Sequence, residues 1–316
     1  MTAFNQKANK APIALFVYNR PWHTQQTLEA LQKNKLADES NLFIFSDAAK
    51  TDDQSTGVCE VRNYIKGIGV FKSVTIIEQE KNLGLAASII EGVTHLCNEY
   101  GRVIVLEDDL VTSPYFLQFM NDALDVYSDT PQVMHISGCI YPIGDLGSEN
   151  FFFRVPLCWG WATWCRAWQY FDKDIQVMLK FDPKMRHSFN IKDSYDYWEQ
   201  LKMNKKGLID TWFVFWYANI FLRQGMAFFP SSSLVLNIGH DGTGVHCGRS
   251  QDYVVPLSDK PIVVRKNDVV ELNDIVERHY KYFRTIYSMP NHSIAGIPAR
   301  IYDYLIHKVG SIISNV

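Results

Sequence analysis

The sequence predicts an α/β fold with a mostly parallel, doubly wound central sheet flanked by helices. Up to about residue 140, short apolar runs rich in β-branched and aromatic residues alternate with polar turns and with segments of helical apolar spacing. Each run is apolar nearly throughout, as a strand covered on both faces must be. Ligands of such a sheet bind beyond the carboxyl ends of its strands, so functional residues are expected there.

Four strand and helix pairs follow one another in the N-terminal half. The predicted strands are 13–18, 42–45, 74–77 and 103–106, and the predicted helices are 21–33, 54–67, 85–100 and 113–127. After about residue 140 the alternation breaks, and helical spacing returns near 193–205 and 210–223. Because no Ser/Gly-rich linker separates the halves, we expect one continuous domain. Its predicted parts are a flexible N-terminus (1–11), a first half (12–140), a second half (141–290) and an amphipathic helical tail (291–316).

The composition is that of an ordinary soluble globular protein, with 47% hydrophobic and 21% charged residues and a net charge of -3. Charges of both signs are interspersed, so nucleic acid is not an expected partner. The N-terminus is polar, and the longest apolar run, 213–222, is too short to span a bilayer, which predicts a cytoplasmic protein. Six scattered cysteines without a C-x-x-C pair predict free thiols.

Three successive carboxylates, Glu107, Asp108 and Asp109, directly follow the predicted strand 103–106. Adjacent negative charges raise one another's pKa values, and a divalent cation usually relieves that repulsion. Hard oxygen ligands suit Mn²⁺ or Mg²⁺, with Asp109 as the first choice of ligand. A solvated acidic turn is the alternative, but the position after a buried strand favours a metal that bridges the phosphates of a nucleotide.

The segment around these carboxylates, VIVLEDDLVTSPYFLQFM, resembles the metal-binding segment of GT-A glycosyltransferases, above all the N-acetylglucosaminyltransferase I family. ALFVYNRP, FIFSDAAK and KNLGLAASI are similar to that family's first strand and Arg-bearing turn, its second strand and its donor-side loop. WGWATW and NIGHDGTGVHC resemble segments of related bacterial sugar transferases. The resemblance implies a GT-A fold, which is Rossmann-like, and a metal-dependent, inverting transfer from a nucleotide-sugar donor, with a UDP-sugar favoured.

The resemblance also implies roles for residues at the strand ends. Arg20 would contact the nucleotide portion of the donor, Asp47 would read the base, and Glu107 and Asp108 would hold ribose and sugar. A guanidinium can donate to phosphate in a fork, and a carboxylate can accept from a ring N–H. The alternatives are a salt bridge at the helix entry for Arg20 and a turn-forming role for Asp47.

Two glycine-containing segments are further candidates for donor binding. Asn82 and Gly84 precede a predicted helix, whose N-terminus could face a diphosphate, although a tight turn would need Gly84 just as much. Gly160 and Trp161 lie where small residues alternate with indoles, a pattern that suits a sugar platform. Packing in the core is the alternative for the tryptophan.

Asp210 is the candidate for the base that deprotonates the acceptor. It precedes Thr211 and Trp212 at the start of a long apolar segment and resembles the catalytic base of the family. The family has two acidic residues at this point, whereas here one is followed by Thr. A helix N-cap at Asp210 or Thr211 is the alternative.

The segment 237–247 contains three glycines, two histidines and an aspartate, a density typical of a loop that closes over a ligand. His246 is expected to be an added metal ligand or a donor to the diphosphate, with His240 and Asp241 as alternatives.

In the tail, apolar residues on one face after Pro298 predict a helix docked on the core. The alternative is a peripheral contact with the inner face of the cell membrane.

The favoured function is the transfer of a sugar to a hydroxyl of a glycan or lipid-linked glycan, in bacterial surface polysaccharide synthesis as the resemblance implies. The first alternative is a sugar nucleotidylyltransferase, which normally carries a Gly-rich loop where this sequence reads YNRPWH. The second is a non-catalytic carbohydrate-binding protein, in keeping with 8 Trp, 16 Tyr and 19 Phe. Such a protein would not need three carboxylates at the end of a buried strand.

Overall fold

The apolar runs form strands that assemble into one large sheet and one small one. The computed structural model describes residues 10–243 and 250–287. The strands are β1 (Ile13–Val17), β2 (Asn41–Ser46), β3 (Ser73–Glu78), β4 (Arg102–Glu107), β5 (Leu110–Thr112), β6 (Val133–Ser137), β7 (Phe151–Phe153), β8 (Trp161–Trp164), β9 (Met226–Phe229) and β10 (Val235–Asn237). The large sheet has eight strands in the order β3-β2-β1-β4-β8-β6-β9-β7, and β5 pairs with β10.

The large sheet is mostly parallel, which confirms the predicted fold class. Its pairings make β7 and β8 antiparallel to the other strands, which all run in one direction. The chain passes outward from β1 through β2 to β3 and then returns to β4 on the other side of β1. The gap between β1 and β4 is therefore the switch point at which open α/β sheets bind ligands.

Helices cover both faces of the large sheet. They are α1 (Pro21–Gln32), α2 (Ser55–Ile65), α3 (Leu85–Tyr100), α4 (Phe116–Val126), α5 (Cys165–Trp168), α6 (Pro183–Phe189), α7 (Tyr197–Lys205), α8 (Phe213–Leu222) and α9 (Asn273–Tyr287). Successive side chains of β1 enter different apolar clusters, with Leu15 packing toward α1, α2 and α4 and Phe16 toward α3 and α8. This alternation is what a strand covered on both faces requires.

Several expectations need correction. β3 is an edge strand with a largely exposed alternating pattern, so it is not covered on both faces as predicted. The second half contributes three strands to the large sheet, β7, β8 and β9, that helical periodicity did not reveal. The helix expected near 193–205 begins at Tyr197, because the left-handed turn at Ile191, Lys192 and Asp193 precedes it.

Parts of the predicted organisation lie outside the described residues, namely nearly all of the N-terminal segment 1–11 and the whole tail 291–316. Among the described residues, no helix combines the length and apolar character needed to cross a bilayer. The five cysteines in this part of the chain are all free thiols, as predicted for them.

Candidate active site at the carboxyl ends of the central strands

The three predicted carboxylates lie at the switch point, where they meet Arg20. β4 ends at Glu107, and its parallel pairing with β1 sets Phe16 beside Glu107, so the turns after both strands share one edge of the sheet. Arg20 is the N-cap residue of α1 and donates through Nη2 to Asp109 Oδ2 at 2.8 Å and also to Asp108. The predicted residues from two distant segments are therefore in direct contact.

Burial and mutual repulsion set the charges at this site. Burial, together with the neighbouring Asp109 and Asp108, raises the pKa of Glu107 to about 8 against the opposing effect of Arg20. Burial also raises the pKa of Asp108, to about 6, although Arg20 acts to lower it. The pKa of Arg20 is itself raised, because the two aspartates outweigh the effect of its burial. Glu107 is therefore protonated at neutral pH unless a further cation approaches.

The residues present fit a divalent cation. The buried Oδ2 of Asp108 has no hydrogen-bond partner within the described residues. In that same part of the chain, no three His, Cys, Asp or Glu side chains form a complete metal cage. Mg²⁺ is commonly held by one or two carboxylates together with substrate phosphates, and Asp108 and Asp109 could provide the protein's share of such a site.

The loop after β10 forms one wall of the carboxylate site. The backbone N–H of Ile238 donates to the carbonyl oxygen of Asp109 at 2.9 Å. Gly239 lies so close to Asp109 that a Cβ atom there would collide with the carboxylate. Further along, Asp241 lies 3.1 Å from Nε2 of the buried His23 on α1. The loop is thus fixed both to the carboxylate turn and to the helix that carries Arg20.

His246, the expected metal ligand, lies outside the described residues, and its role stays a prediction. Its alternatives, His240 and Asp241, both belong to the loop that borders Asp109. Burial lowers the pKa of His240, with Asp109 and Asp252 acting in the opposite direction. His240 is therefore neutral at pH 7, as a metal-binding imidazole must be.

Asp47 follows β2 and holds the turn that contains Asn82 and Gly84. Its Oδ1 accepts from the N–H groups of Ala48 and Leu83, both at 2.9 Å. Its Oδ2 accepts from Asn82 Nδ2 at 3.0 Å and from the N–H of Gly84 at 2.9 Å. A carboxylate offers about four lone-pair positions, so the turn occupies them all. The turn-forming alternative describes this geometry, and base reading by Asp47 stays a prediction.

Gly84 is needed for its backbone conformation, since its φ of 78° and ψ of 158° lie in a region that is almost restricted to glycine. Its N–H and that of Leu83 donate to Asp47 and so are not available to a diphosphate. Sequence reasoning missed Arg62, which donates to the carbonyl oxygens of Gln79, at 2.8 Å, Ser46 and Asp47. Arg62 thus links the ends of β2 and β3. Its place in a helical sequence pattern does not by itself indicate this contact.

Trp161 lies in the core, which is the packing alternative. Its side chain is 0% exposed, and it stacks with His135 and Trp212, both at 5.2 Å between ring centroids. Gly160 has a φ of 65°, and a Cβ there would come within 2.6 Å of Val235. Close packing thus accounts for the glycine, and contact of either residue with a donor sugar stays a prediction.

Asp210 is on the surface, where 74% of its side chain is exposed and its carboxylate pairs with Lys173. The N-cap of α8 is Trp212, without a side-chain cap, so the N-cap alternative for Asp210 and Thr211 is wrong. Trp212 stacks on Trp161, which pairs with Val105 near the end of β4. Asp210 therefore precedes a segment anchored at the same edge of the sheet as the carboxylates.

No protein-family model and no curated protein sequence matches this chain. A mannosyltransferase from Pyrobaculum calidifontis, solved with GDP-Man and Mn²⁺, matches with 12% identity and a TM-score of 0.37, over 67% of this chain and 70% of that chain. S. aureus TarS in complex with UDP matches with 14% identity and a TM-score of 0.30, over 44% and 40% of the two chains. Mouse xyloside xylosyltransferase 1 matches with 13% identity and a TM-score of 0.28, over 41% and 53%. Such low TM-scores carry no argument for an activity.

Proposed function

We propose that this chain is a metal-dependent glycosyltransferase that moves a sugar from a nucleotide diphosphate donor to an acceptor hydroxyl. The observation that carries the proposal is the meeting of Arg20 with Asp108 and Asp109 at the switch point between β1 and β4. A cationic fork beside carboxylates, at the ligand-binding edge of a doubly wound sheet, suits a diphosphate bound together with a divalent cation.

In this proposal Arg20 contacts the diphosphate, and Asp109, with Asp108, holds Mn²⁺ or Mg²⁺. When bound, the cation would neutralise the charge that develops on the departing diphosphate. Glu107 would hold a ribose or sugar oxygen of the donor, the role that the sequence resemblance implies. Asp47 and Asn82 shape the turn on the nucleotide side, and base recognition is assigned to that turn.

Asp210 takes the proton of the acceptor hydroxyl, and the oxygen attacks the anomeric carbon as the bond to the diphosphate breaks. This single displacement inverts the anomeric configuration. An exposed carboxylate paired with Lys173 is accessible to an acceptor from solvent. We further infer a UDP-sugar donor, a glycan or lipid-linked acceptor and a role in surface polysaccharide synthesis from the sequence resemblance. The cytoplasmic location is inferred from apolar runs that are too short to span a bilayer.

The test is metal-dependent nucleotide binding. Calorimetry of the wild-type protein with UDP and GDP should show binding with Mn²⁺ and its loss with EDTA. Asp109→Asn should weaken that binding and abolish sugar transfer, because it removes the first-choice ligand. Asp125→Asn on α4, at an exposed carboxylate, is the control and should behave as wild type. EDTA-resistant turnover, or full activity of Asp109→Asn, would contradict the proposal.

A further inference from the structure

Trp159 precedes β8 at the edge of the sheet where β4 ends, because β8 runs antiparallel to β4. The ladder between the two strands ends at the pair Val105 and Trp161, and the chain turns at Gly160, whose φ is 65°. Trp159 also contacts His240, which follows Gly239 beside Asp109. β8 adjoins β4 on the side away from β1. Along this edge of the sheet, the turn with Arg20 comes first, the carboxylates come next, and Trp159 lies beyond them. A ligand whose diphosphate lies at Arg20 can therefore place its next chemical group at Trp159.

The surroundings of Trp159 differ from those of the other indoles in its segment. Trp161 and Trp164 are buried, whereas Trp159 is only partly buried. The rings of His240 and Tyr253 meet Trp159 at 5.3 and 5.4 Å between centroids, with interplanar angles of 74° and 82°. Within the described residues, no aromatic ring stacks flat on either indole face. Trp159 is thus held by edge-to-face contacts with its neighbours, Tyr141 among them, and is stacked flat on none of them.

A polar group lies beside these rings. His240 stacks on Tyr253 at 4.7 Å, and its buried Nε2 has no hydrogen-bond partner among the described residues. His240 directly follows Gly239, which lies against the carboxylate of Asp109. An apolar ring surface with a few polar atoms that fix orientation is typical of small-molecule sites. A sugar ring matches this chemistry, since its C–H face packs on an indole and its hydroxyls can bond to an imidazole nitrogen.

We propose that Trp159, together with His240 and Tyr253, forms a platform that binds a hexopyranose next to the carboxylates. The proposal rests on the proposed function, which supplies the sugar, and it assigns a residue that sequence reasoning did not select. The sugar belongs either to the donor or to the acceptor. In both cases it lies on the β8 side of the carboxylates, away from the nucleotide side at β1 and β2.

The test compares Trp159→Ala and Trp159→Phe with Tyr170→Ala. Tyr170 is 44% exposed and follows α5 at the opposite end of β8, which makes it a control for the loss of a surface ring. All three variants should bind UDP with Mn²⁺ as the wild type does. Trp159→Ala should weaken the binding of a sugar ligand by about tenfold or more, and Trp159→Phe should recover part of the loss because it keeps a ring face.

Two measurements separate the sources of the sugar. If the donor sugar occupies the platform, Trp159→Ala loses the affinity difference between nucleotide-sugar and bare nucleotide, and donor hydrolysis slows. If the acceptor occupies it, donor affinity and hydrolysis stay unchanged while KM for the acceptor rises. Either result supports the platform. Wild-type behaviour of Trp159→Ala in all these assays would overturn it.

Failure of the proposed function remains distinguishable. If the wild-type protein binds no nucleotide, saturation-transfer NMR with a panel of methyl hexopyranosides tests the platform directly. Contact of a sugar with the wild type that disappears in Trp159→Ala, and persists in Tyr170→Ala, would support a sugar platform without transferase activity. Absence of any sugar contact in the wild type would overturn the platform as well.

Discussion

Nη2 of Arg20 lies 2.8 Å from Oδ2 of Asp109, and the same nitrogen donates to Asp108. One guanidinium thus balances two carboxylates that come from another strand of the sheet. Both groups are largely buried, so neither can rely on water when its partner is removed. Removing one member of a buried ion pair is costly because the charge that remains is left uncompensated.

The first prediction follows from this ion pair. Arg20→Gln should lower the free energy of unfolding by about 3 kcal/mol or more, and added Mn²⁺ should restore more stability in the variant than in the wild type. Lys66→Gln, at an exposed ion pair with Glu78, should cost less than about 1 kcal/mol. Urea denaturation with and without Mn²⁺ measures both. Equal losses in the two variants would mean that the Arg20 pair has no special role in stability.

The second prediction concerns Asp47. Asp47→Ala leaves the N–H groups of Leu83 and Gly84 without their acceptor and should destabilise the protein by about 2 kcal/mol or more. It should also relax the preference between UDP and GDP, measured by calorimetry. Asn82→Ala removes the hydrogen bonds of Nδ2 to Asp47 and to the carbonyl oxygen of Ala48 but keeps the carboxylate, so it is the matched control. Equal weakening of UDP and GDP would leave Asp47 with the turn-forming role alone.

The third prediction concerns Asp210. Asp210→Asn should lower kcat by about 10²–10⁴-fold, the usual contribution of a general base, while the affinity for UDP stays unchanged. Because the side chain is exposed and caps no helix, stability should hardly change. Asp193→Asn, at another exposed and paired aspartate, is the control. Normal turnover in Asp210→Asn would move the search for the base elsewhere.

The first half of the fold was predictable because its signals are local. Buried parallel strands are continuous apolar runs, and α3 has the predicted bounds because Gly84 and Gly101 punctuate it. The strands of the second half are only three or four residues long and include β7, whose FFF sequence has no period to read. Their place in the sheet depends on long-range pairing, which a local pattern does not encode.

The candidate site was predictable where a residue type and a strand end coincide, as for Arg20 and the carboxylates after β4. Which tryptophan faces the site was not, because that depends on the antiparallel register of β8. The register buries Trp161 in the sheet and leaves Trp159 just before β8, at the edge where β4 ends. The same limit applies to His23, whose contact with Asp241 joins residues far apart in the chain.

The fourth prediction is a pH dependence of stability. Trp216 Nε1 donates to Nδ1 of His135 at 3.2 Å, and His135 Nε2 lies 3.1 Å from the carbonyl oxygen of Leu157, so the buried ring is neutral. Burial lowers the pKa of His135 to about 3. Below about pH 6.5 the unfolded chain therefore takes up a proton that the folded protein excludes. By pH 5 this should remove about 2 kcal/mol from the free energy of unfolding.

Chemical denaturation at pH 7.5 and pH 5 tests whether the free energy of unfolding falls on acidification. His135→Gln should be less stable than the wild type at pH 7.5, but it should lose less stability on acidification. The exposed His95, replaced by Gln, should leave the pH dependence as it is. Burial also lowers the pKa of His279, to about 4, so His135→Gln should keep part of the dependence. If the free energy of unfolding of His135→Gln falls with pH as steeply as that of the wild type, His135 is not the buried group that stays unprotonated in the folded protein.

The last prediction concerns the contact between Gly239 and Asp109. A methyl group on Gly239 would collide with the Asp109 carboxylate and lie 3.2 Å from Oδ1 of Asn237, so the carboxylate must move. Because positioning of a ligand to about half an ångström governs a metal site, Gly239→Ala should weaken Mn²⁺-dependent UDP binding by about tenfold or more. Gly69→Ala, where a methyl group meets nothing within 4 Å, is the control for the loss of backbone freedom. Calorimetry of both variants decides: equal affinities would show that Asp109 tolerates displacement, and a selective loss in Gly239→Ala would tie the loop after β10 to the carboxylate site.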